Sequence, residues 1–537
     1  MKIKALFIFY LSVIASKPLL LGQNDFKTYV DLHVNSLTVP FYTQDSTDGI
    51  AYNLWEYIYF ECNPDKSAEV YDKIGQNVPK FSQANFEEMI KGNVRIFSLT
   101  LSPLEQQFLE SNAYINDKNK RATLACLTGV YANTLLLKSK EVDYFQSLIQ
   151  QLYFLERYQN VPYYINGKPY TYKIIRHRGD LREVLNDPTK LGIILNVEGG
   201  HSLGNSVYIN SLGDTSSDIE TEYQDLLRRN IARLKGILPI GQMANILIKN
   251  PILFLTVAKT YPNGLGGTSL SFNRNQQTYI SRPNEIGTPS TKIGKKIIED
   301  LVSAAGGARP ILVDIQHMSV DFRKNYYDQL DRFSLMGTEV PIIASHTGIS
   351  GLPWDSPLYK KKDDDTKNDN EYLNHWQQNL GQRDIEKIYE YRGLICISLD
   401  KTVLGGALAL NKINSAVPNS TRKRAACIEL FMANVLKAVQ AINKKDAWDI
   451  IAIGSNFDAM QEPLDVYPSA QYLRDLHADI QSFLDNPTPI AEDITGLTLA
   501  EIKKLKFSYS SSEIADKIMY KNALAFVERH LREAPSE

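Results

Sequence analysis

The stretch GIILNVEGG, residues 192–200, decides the fold. Ile193, Ile194, Leu195 and Val197 put apolar side chains on nearly consecutive positions. Successive side chains of a strand point to opposite faces, so both faces of this one must be buried, as in a parallel sheet. Glu198 ends the run just before two glycines that permit close backbone approach. The same construction recurs in VRIFSLTL (94–101), PILFLTVA (251–258), RPILVDIQH (309–317), PIIASH (341–346), LICISL (394–399) and IIAIGSNFD (450–458). Helical patterns separate these runs, among them VDYFQSLIQQLYFLERY (142–158), TKIGKKIIEDLVSAAGG (291–307) and AACIELFMANVLKAVQAI (425–442). Alternating strand and helix predicts an α/β sheet wound by crossover helices.

Polar residues stand at the C-terminal ends of many different runs: His33, Glu198, His317, His346 and Asn456. That spread suits a closed barrel, whose active face gathers strand ends around one rim, better than an open doubly wound sheet. In VDLHVNSL (30–37), Asp31, His33 and Asn35 occupy alternate positions and so share a face, marking a site or a strand end. Neither a Walker pattern nor G-x-G-x-x-G follows a strand.

Composition excludes some partners. The 537 residues are 43% hydrophobic and 22% charged with a formal net charge of -2, which makes no electrostatic case for nucleic acid or an anionic membrane surface. A small molecule is the expected partner. Residues 1–22 read as a secretory signal peptide: Lys2 and Lys4 precede the apolar run Ala5 to Ala15, which Lys17 and Pro18 interrupt. The mature chain is expected to be exported, periplasmic or extracellular, without a transmembrane segment. Residues 23–537 are expected to form a single barrel domain with insertions near 42–85 and 355–378. The second insertion contains the charge run YKKKDDDTKNDNEY (359–372), a solvated loop. Cys62, Cys126, Cys396 and Cys427 allow three full pairings, and Cys396 is expected to be buried as a small apolar residue.

A lone histidine usually serves as a satisfied polar residue, and His177, His375, His477 and His530 are read so. Glu198, His317 and His346 differ because each closes an apolar strand. A carboxylate buried there is costly unless a cation compensates it. Two imidazoles and a carboxylate with an open position match a catalytic zinc site.

In order along the chain, VDLHVNSL, GNVRIFSLTL, LNVEGGHSLGN, FLTVAKTYPNGLGG, DIQHMSVDF, PIIASHTG, IAIGSNFDAM and YKNALAFVERHL resemble the renal or membrane dipeptidase family of zinc metallopeptidases. The resemblance spans about residues 28 to 533. It implies a (β/α)₈ TIM barrel of the metal-dependent hydrolase type, carrying two zinc ions bridged by a glutamate and acting on dipeptides. Glu198 would be the bridge, His317 and His346 would hold one zinc, and His33 with Asn35 would hold the other. By analogy with such relatives the chain would pair as a homodimer.

Four positions depart from the family. Asn35 stands where the family has aspartate and offers only a neutral oxygen. Asn456 replaces the aspartate that handles the proton of the attacking water, and an amide cannot accept a proton at neutral pH. Asp458 survives two residues on, as a further catalytic candidate. Lys259 aligns with the histidine that polarises the scissile carbonyl, where it still suits an oxyanion. The arginine for the substrate carboxylate is missing: Gln378 or Asn379 aligns with it, and Arg383 is the expected substitute. The resulting expectation is a divergent zinc hydrolase, with one zinc or a weakened pair, for dipeptides or related small amides. The alternative is an inactive scaffold serving as an exported binding protein, its 30 tyrosines supplying a recognition surface.

Overall fold

The computed structural model describes residues 28–44, 50–60, 78–110, 118–212, 217–238, 251–270, 287–304, 307–359 and 370–533. The signal-peptide stretch and parts of both expected insertions lie outside these residues.

Among the described residues ten strands follow one another: β1 (Tyr29–Val34), β2 (Val94–Leu101), β3 (Tyr163–Ile165), β4 (Lys168–Ile174), β5 (Lys190–Glu198), β6 (Ile252–Thr256), β7 (Leu312–Asp314), β8 (Ile343–Thr347), β9 (Leu394–Ile397) and β10 (Ile451–Ile453). They hydrogen-bond in the order β2-β1-β10-β9-β8-β7-β6-β5, and β5 pairs with β2 to close the ring. These eight strands are parallel throughout. Closure joins Ile96 to Gly192 and continues to Leu101 opposite Val197. The fold is a (β/α)₈ barrel.

One element departs from the pattern. β3 and β4 form an antiparallel hairpin whose second strand lies beside the first residues of β5, Thr171 opposite Lys190. Its alternation of tyrosines, Pro169 and lysines gave no continuous apolar run, so it was not legible as a barrel strand.

Helices fill the connections. Tyr144–Tyr158 follows β2, Lys292–Val302 follows β6, Val320–Leu335 follows β7, Gln382–Glu390 follows β8 and Thr421–Ile442 follows β9. Capping fits the chemistry of their first residues: Asp143, Thr291, Ser319 and Ser420 each accept a backbone N–H of the following turn. Thr421–Ile442 is long and apolar enough to cross a membrane, yet two thirds of its apolar window is buried within the fold. It is a core helix.

Above an apolar layer that includes Ile96, Ile194, Phe254, Leu312 and Ile343, the lumen turns polar. Asn196 Nδ2 donates to Ser98 Oγ at 2.7 Å, Thr256 Oγ1 donates to Asp314 Oδ2 at 2.6 Å, and Asp31 Oδ1 accepts Ser455 N at 2.9 Å. Polar side chains on interior strands bond to one another there beneath the rim, although Asp31 Oδ2 and Asn196 Oδ1 are buried without a hydrogen-bond partner among the described residues. Among the tyrosines, Tyr144, Tyr172, Tyr223, Tyr326, Tyr327 and Tyr467 are fully buried packing residues, not a recognition surface. Cys396 and Cys427 are buried free thiols, as expected for Cys396, and Cys126 is disulfide-bonded.

Candidate metal centre

The ends of β1, β5 and β8 bring His33, Glu198 and His346 together, with one ligand atom from each inside a 4.8 Å circle. Glu198 Oε1 lies 3.2 Å from His317 Nε2, 3.6 Å from His346 Nε2 and 3.8 Å from His33 Nε2. His317 and His346 Nε2 stand 3.1 Å apart. Thus the carboxylate and all three imidazoles converge on one point.

Local backbone explains how the side chains get there. Gly199 adopts φ 101, a region that side chains other than glycine rarely enter. A Cβ on Gly200 would fall 2.6 Å from the carbonyl oxygen of Val257, whose oxygen accepts the Gly200 amide at 3.0 Å. The glycine pair therefore tucks the chain after β5 against the end of β6 and leaves Glu198 facing the rim. His317, Asn456 and Asp458 have φ of 64, 63 and 65, the left-handed region where His, Asn and Asp are tolerated best. Such strained positions cluster at functional sites.

Burial sets the charges. Removal from water pushes His33 down to about 4, against the pull of Glu198, and lowers His346 as well, with His33 and His317 adding to that effect. Both rings are neutral at pH 7. Burial alone would raise Glu198, but Lys259 and the hydrogen bond from His317 outweigh it and hold the carboxyl well below its ordinary range. An anionic oxygen beside the neutral rings of His33 and His346 is a donor set for a divalent cation. These residues could hold a metal ion.

The other face of Glu198 differs. Oε2 lies 3.4 Å from Lys259 Nζ, and the same ammonium donates to Ser102 Oγ. Asn35 Nδ2 donates to Asn456 Oδ1 at 3.1 Å. Asn35, expected at a second metal, and Asn456, expected at the proton-handling position, bond to each other.

Of the remaining candidates, Asp458 and Gln378 line the cleft over this centre, and Arg383 and Asn379 do not. Asp458 accepts the backbone amides of Gln83 at 2.6 Å and Ala84 at 3.1 Å, so its carboxyl ties the first insertion to the barrel. The strand has ended at Ile453, and the positive φ values that follow turn Asp458 off the strand's face. Arg383, expected to grip substrate, lies on the helix Gln382–Glu390 and pairs with Glu386 at 2.8 Å, its side chain 48% exposed. A helix surface position turns it away from the cleft. Asn379 is structural, its amide accepting Gly348 N and donating to Asn374 and Val403 carbonyls. Gln378 does line the cleft. Among the histidines read as ordinary, His177 caps a helix, His375 pairs with Glu371 and His477 with Asp516, while His530 packs on Phe526.

Over this candidate centre opens a cleft of about 170 Å³ whose walls include Ser102, Glu105, Lys259, His317 and Gln378. Glu105 was not singled out in the sequence, where it sits in the unremarkable SPLEQQ. Burial, foremost, pushes its carboxyl up to about 7, with Lys259 and the Tyr261 amide pulling the other way.

No family model matches the chain, and no curated protein matches it. Solved structures do. The dipeptidase AC, a metallopeptidase of family M19, shares 12% identity over 94% of this chain and 98% of its own, at a TM-score of 0.47. The chain is similar to dipeptidase-type metallopeptidases. A metallopeptidase from Rhodobacter sphaeroides, liganded with a phosphinate mimic of the dipeptide L-Ala-D-Ala, gives 12% identity, 94% and 99% coverage and a TM-score of 0.49. The probable dipeptidase PvdM from Pseudomonas aeruginosa gives 12%, 91% and 96%, and 0.42. At such distances the chemistry rests on this chain's own residues.

Proposed function

We propose that the chain is a divergent, exported, dipeptidase-like hydrolase that uses one zinc ion to cleave small amides. The observation that carries this reading is the convergence of His33, Glu198, His317 and His346 on one point, with Glu198 Oε2 turned to Lys259. Glu198 has two oxygens; one faces the imidazoles and the other an ammonium. A second divalent ion on Oε2 would meet the Lys259 charge and, at Asn35, a neutral amide. The arrangement therefore favours one metal.

A divalent metal held by these residues supplies Lewis-acid chemistry to a carbonyl or a water. The chain's own groups do the rest. Lys259, hydrogen-bonded to Ser102 and lining the cleft, stabilises negative charge developing on a carbonyl oxygen. Asn456 cannot take a proton, so that task falls to Glu105, whose raised carboxyl lies near the working pH of a general base. The Gln378 amide lines the cleft at a position aligned with the family's substrate-gripping arginine, and it favours substrates whose far end is a neutral amide.

Elemental analysis of the purified, zinc-reconstituted chain tests the reading. One zinc per chain that is lost in His346→Ala, together with turnover in a panel of dipeptides and capped amides, is the expected result. Absence of zinc after reconstitution would sink it. The second reading, a binding protein on an inactive scaffold, is favoured by the Asn35–Asn456 hydrogen bond, which links the two amides without metal or substrate. Stoichiometric zinc with no turnover and tight binding of an uncleaved amide would select it.

A further inference from the structure

We propose that Ser345 is a positioning residue whose single hydroxyl fixes the ring tautomers of both His33 and His346. Ser345 Oγ lies 3.1 Å from His33 Nδ1 and 2.9 Å from His346 Nδ1, and it donates to Asp314 Oδ2 at 2.6 Å. A serine hydroxyl has one proton and two lone pairs. Three partners therefore use it completely.

The direction of each proton follows from Asp314. Its Oδ2 also accepts from Thr256 Oγ1 at 2.6 Å, and its Oδ1 accepts the backbone amides of Gln316 and Ser345, each at 3.1 Å. Three other donors already turn their hydrogens to this carboxylate, which has none of its own to give, so the 2.6 Å contact takes the Ser345 proton. Only lone pairs remain on Oγ for the two imidazoles. Each ring must bring an N–H, which places the proton on Nδ1 of both. Their Nε2 atoms are left bare, and these are the nitrogens that face Glu198 Oε1.

Geometry makes the arrangement a clasp across the barrel. His33 comes from β1, Ser345 and His346 from β8, Asp314 from β7 and Thr256 from β6. The His33 and His346 rings stand 3.9 Å apart between centroids, and Ser345, Asp314 and His33 are fully buried. A neutral imidazole that carries its proton on Nε2 cannot ligate through that atom, so tautomer choice governs whether the centre is competent. The tautomer assignment stands on the hydrogen bonds; its consequence for zinc rests on the function proposed above.

The full chain labelled with ¹⁵N histidine and stripped of metal gives the direct test by NMR. Both rings are expected to show a protonated Nδ1 and a bare Nε2, and a proton on Nε2 of either ring overturns the proposal. Ser345→Ala is expected to mix the tautomers and to weaken zinc binding by roughly 10–100-fold in competition with a chelator. Ser345→Thr, which keeps the hydroxyl, is expected to restore both readings. Zinc held by Ser345→Ala as tightly as by the parent overturns the proposal as well. If the alanine variant fails to fold by circular dichroism, the parent spectrum decides alone. Both rings protonated on Nδ1 in a parent chain that takes up no zinc would uphold Ser345 and refute the metal reading.

Discussion

Asn35 and Asn456 meet at 3.1 Å beyond the ends of β1 and β10, amide nitrogen to amide oxygen. One amide donates and the other accepts, and neither carries charge. Carboxylates in both places would face each other with like charge and no donor between them, a cost that a cation must remove. Asn35→Asp with Asn456→Asp is therefore expected to lower the melting temperature of the metal-stripped chain and to regain it on adding zinc. Thermal melts with and without zinc check this. Equal melting temperatures without metal would count against the role given to the amide pair.

Lys259 is the cation that Glu198 Oε2 meets at 3.4 Å, in a site where Glu198 is almost fully buried. Truncating one partner of a buried ion pair leaves the other charge uncompensated, typically at a cost of about 3–5 kcal/mol. The Lys259 side chain keeps 19% exposure, so solvent screening places the expected loss below that range. Lys259→Met is expected to destabilise the metal-free chain by about 2 kcal/mol, and Lys259→Arg by less. Denaturant unfolding measures both.

How much of this was legible beforehand follows from which interactions are local. The barrel was readable because β2, β5, β6, β8 and β9 carry apolar residues on consecutive positions, a pattern that burial on both faces imposes. Glu198, His317 and His346 were readable because ionisable groups that end such strands stand out. Ser345 and Asp314 were visible in PIIASH and ILVDIQH, yet a serine and an acid inside a strand carry no sign of what lies across the barrel. The carboxyl of Asp458 is held by the first insertion while the residue still lines the cleft, and Arg383 lies on a helix surface away from it, for a related reason. Where a side chain points after a strand ends depends on backbone φ and on neighbours 375 residues away, as with Gln83. Glu105 acquires its interest only from the fold, which buries it beside Lys259 and Glu198.

Glu105 also gives a pH signature. Its carboxyl titrates at about 7 when folded, against an ordinary value of 4.5. Between these values the folded chain holds a proton that the unfolded chain has released. Stability then falls as pH rises through that window, by about 1.4 kcal/mol per pH unit for a single group. Glu105→Gln removes this contribution. Relative to the parent, the metal-free variant is expected to gain stability steadily from about pH 5 to pH 7 and to level off above. Melting temperatures of the two chains across this range provide the check, and a constant difference would show that Glu105 titrates normally.

The rim of the cleft depends on a second buried charge pair. Arg323, on the helix after β7, lies 3.0 Å from Asp384 on the helix after β8, and both side chains are fully buried. The guanidinium also donates to the carbonyls of Met318 and Gln377, so it ties the chain just after His317 to the segment that carries Gln378. Asp384 in turn accepts Tyr327 Oη at 2.9 Å and the Gly381 amide at 2.9 Å. No water reaches the pair to replace a lost partner. Asp384→Asn keeps shape but removes the charge, leaving Arg323 buried without its counter-ion. A loss of about 3–5 kcal/mol in chemical denaturation is expected, larger than for Lys259→Met because neither partner is exposed. Arg323→Met with Asp384→Leu removes both charges and is expected to recover much of that loss. Recovery of stability without recovery of turnover would show that the pair positions Gln378 over the cleft beyond holding the two helices together.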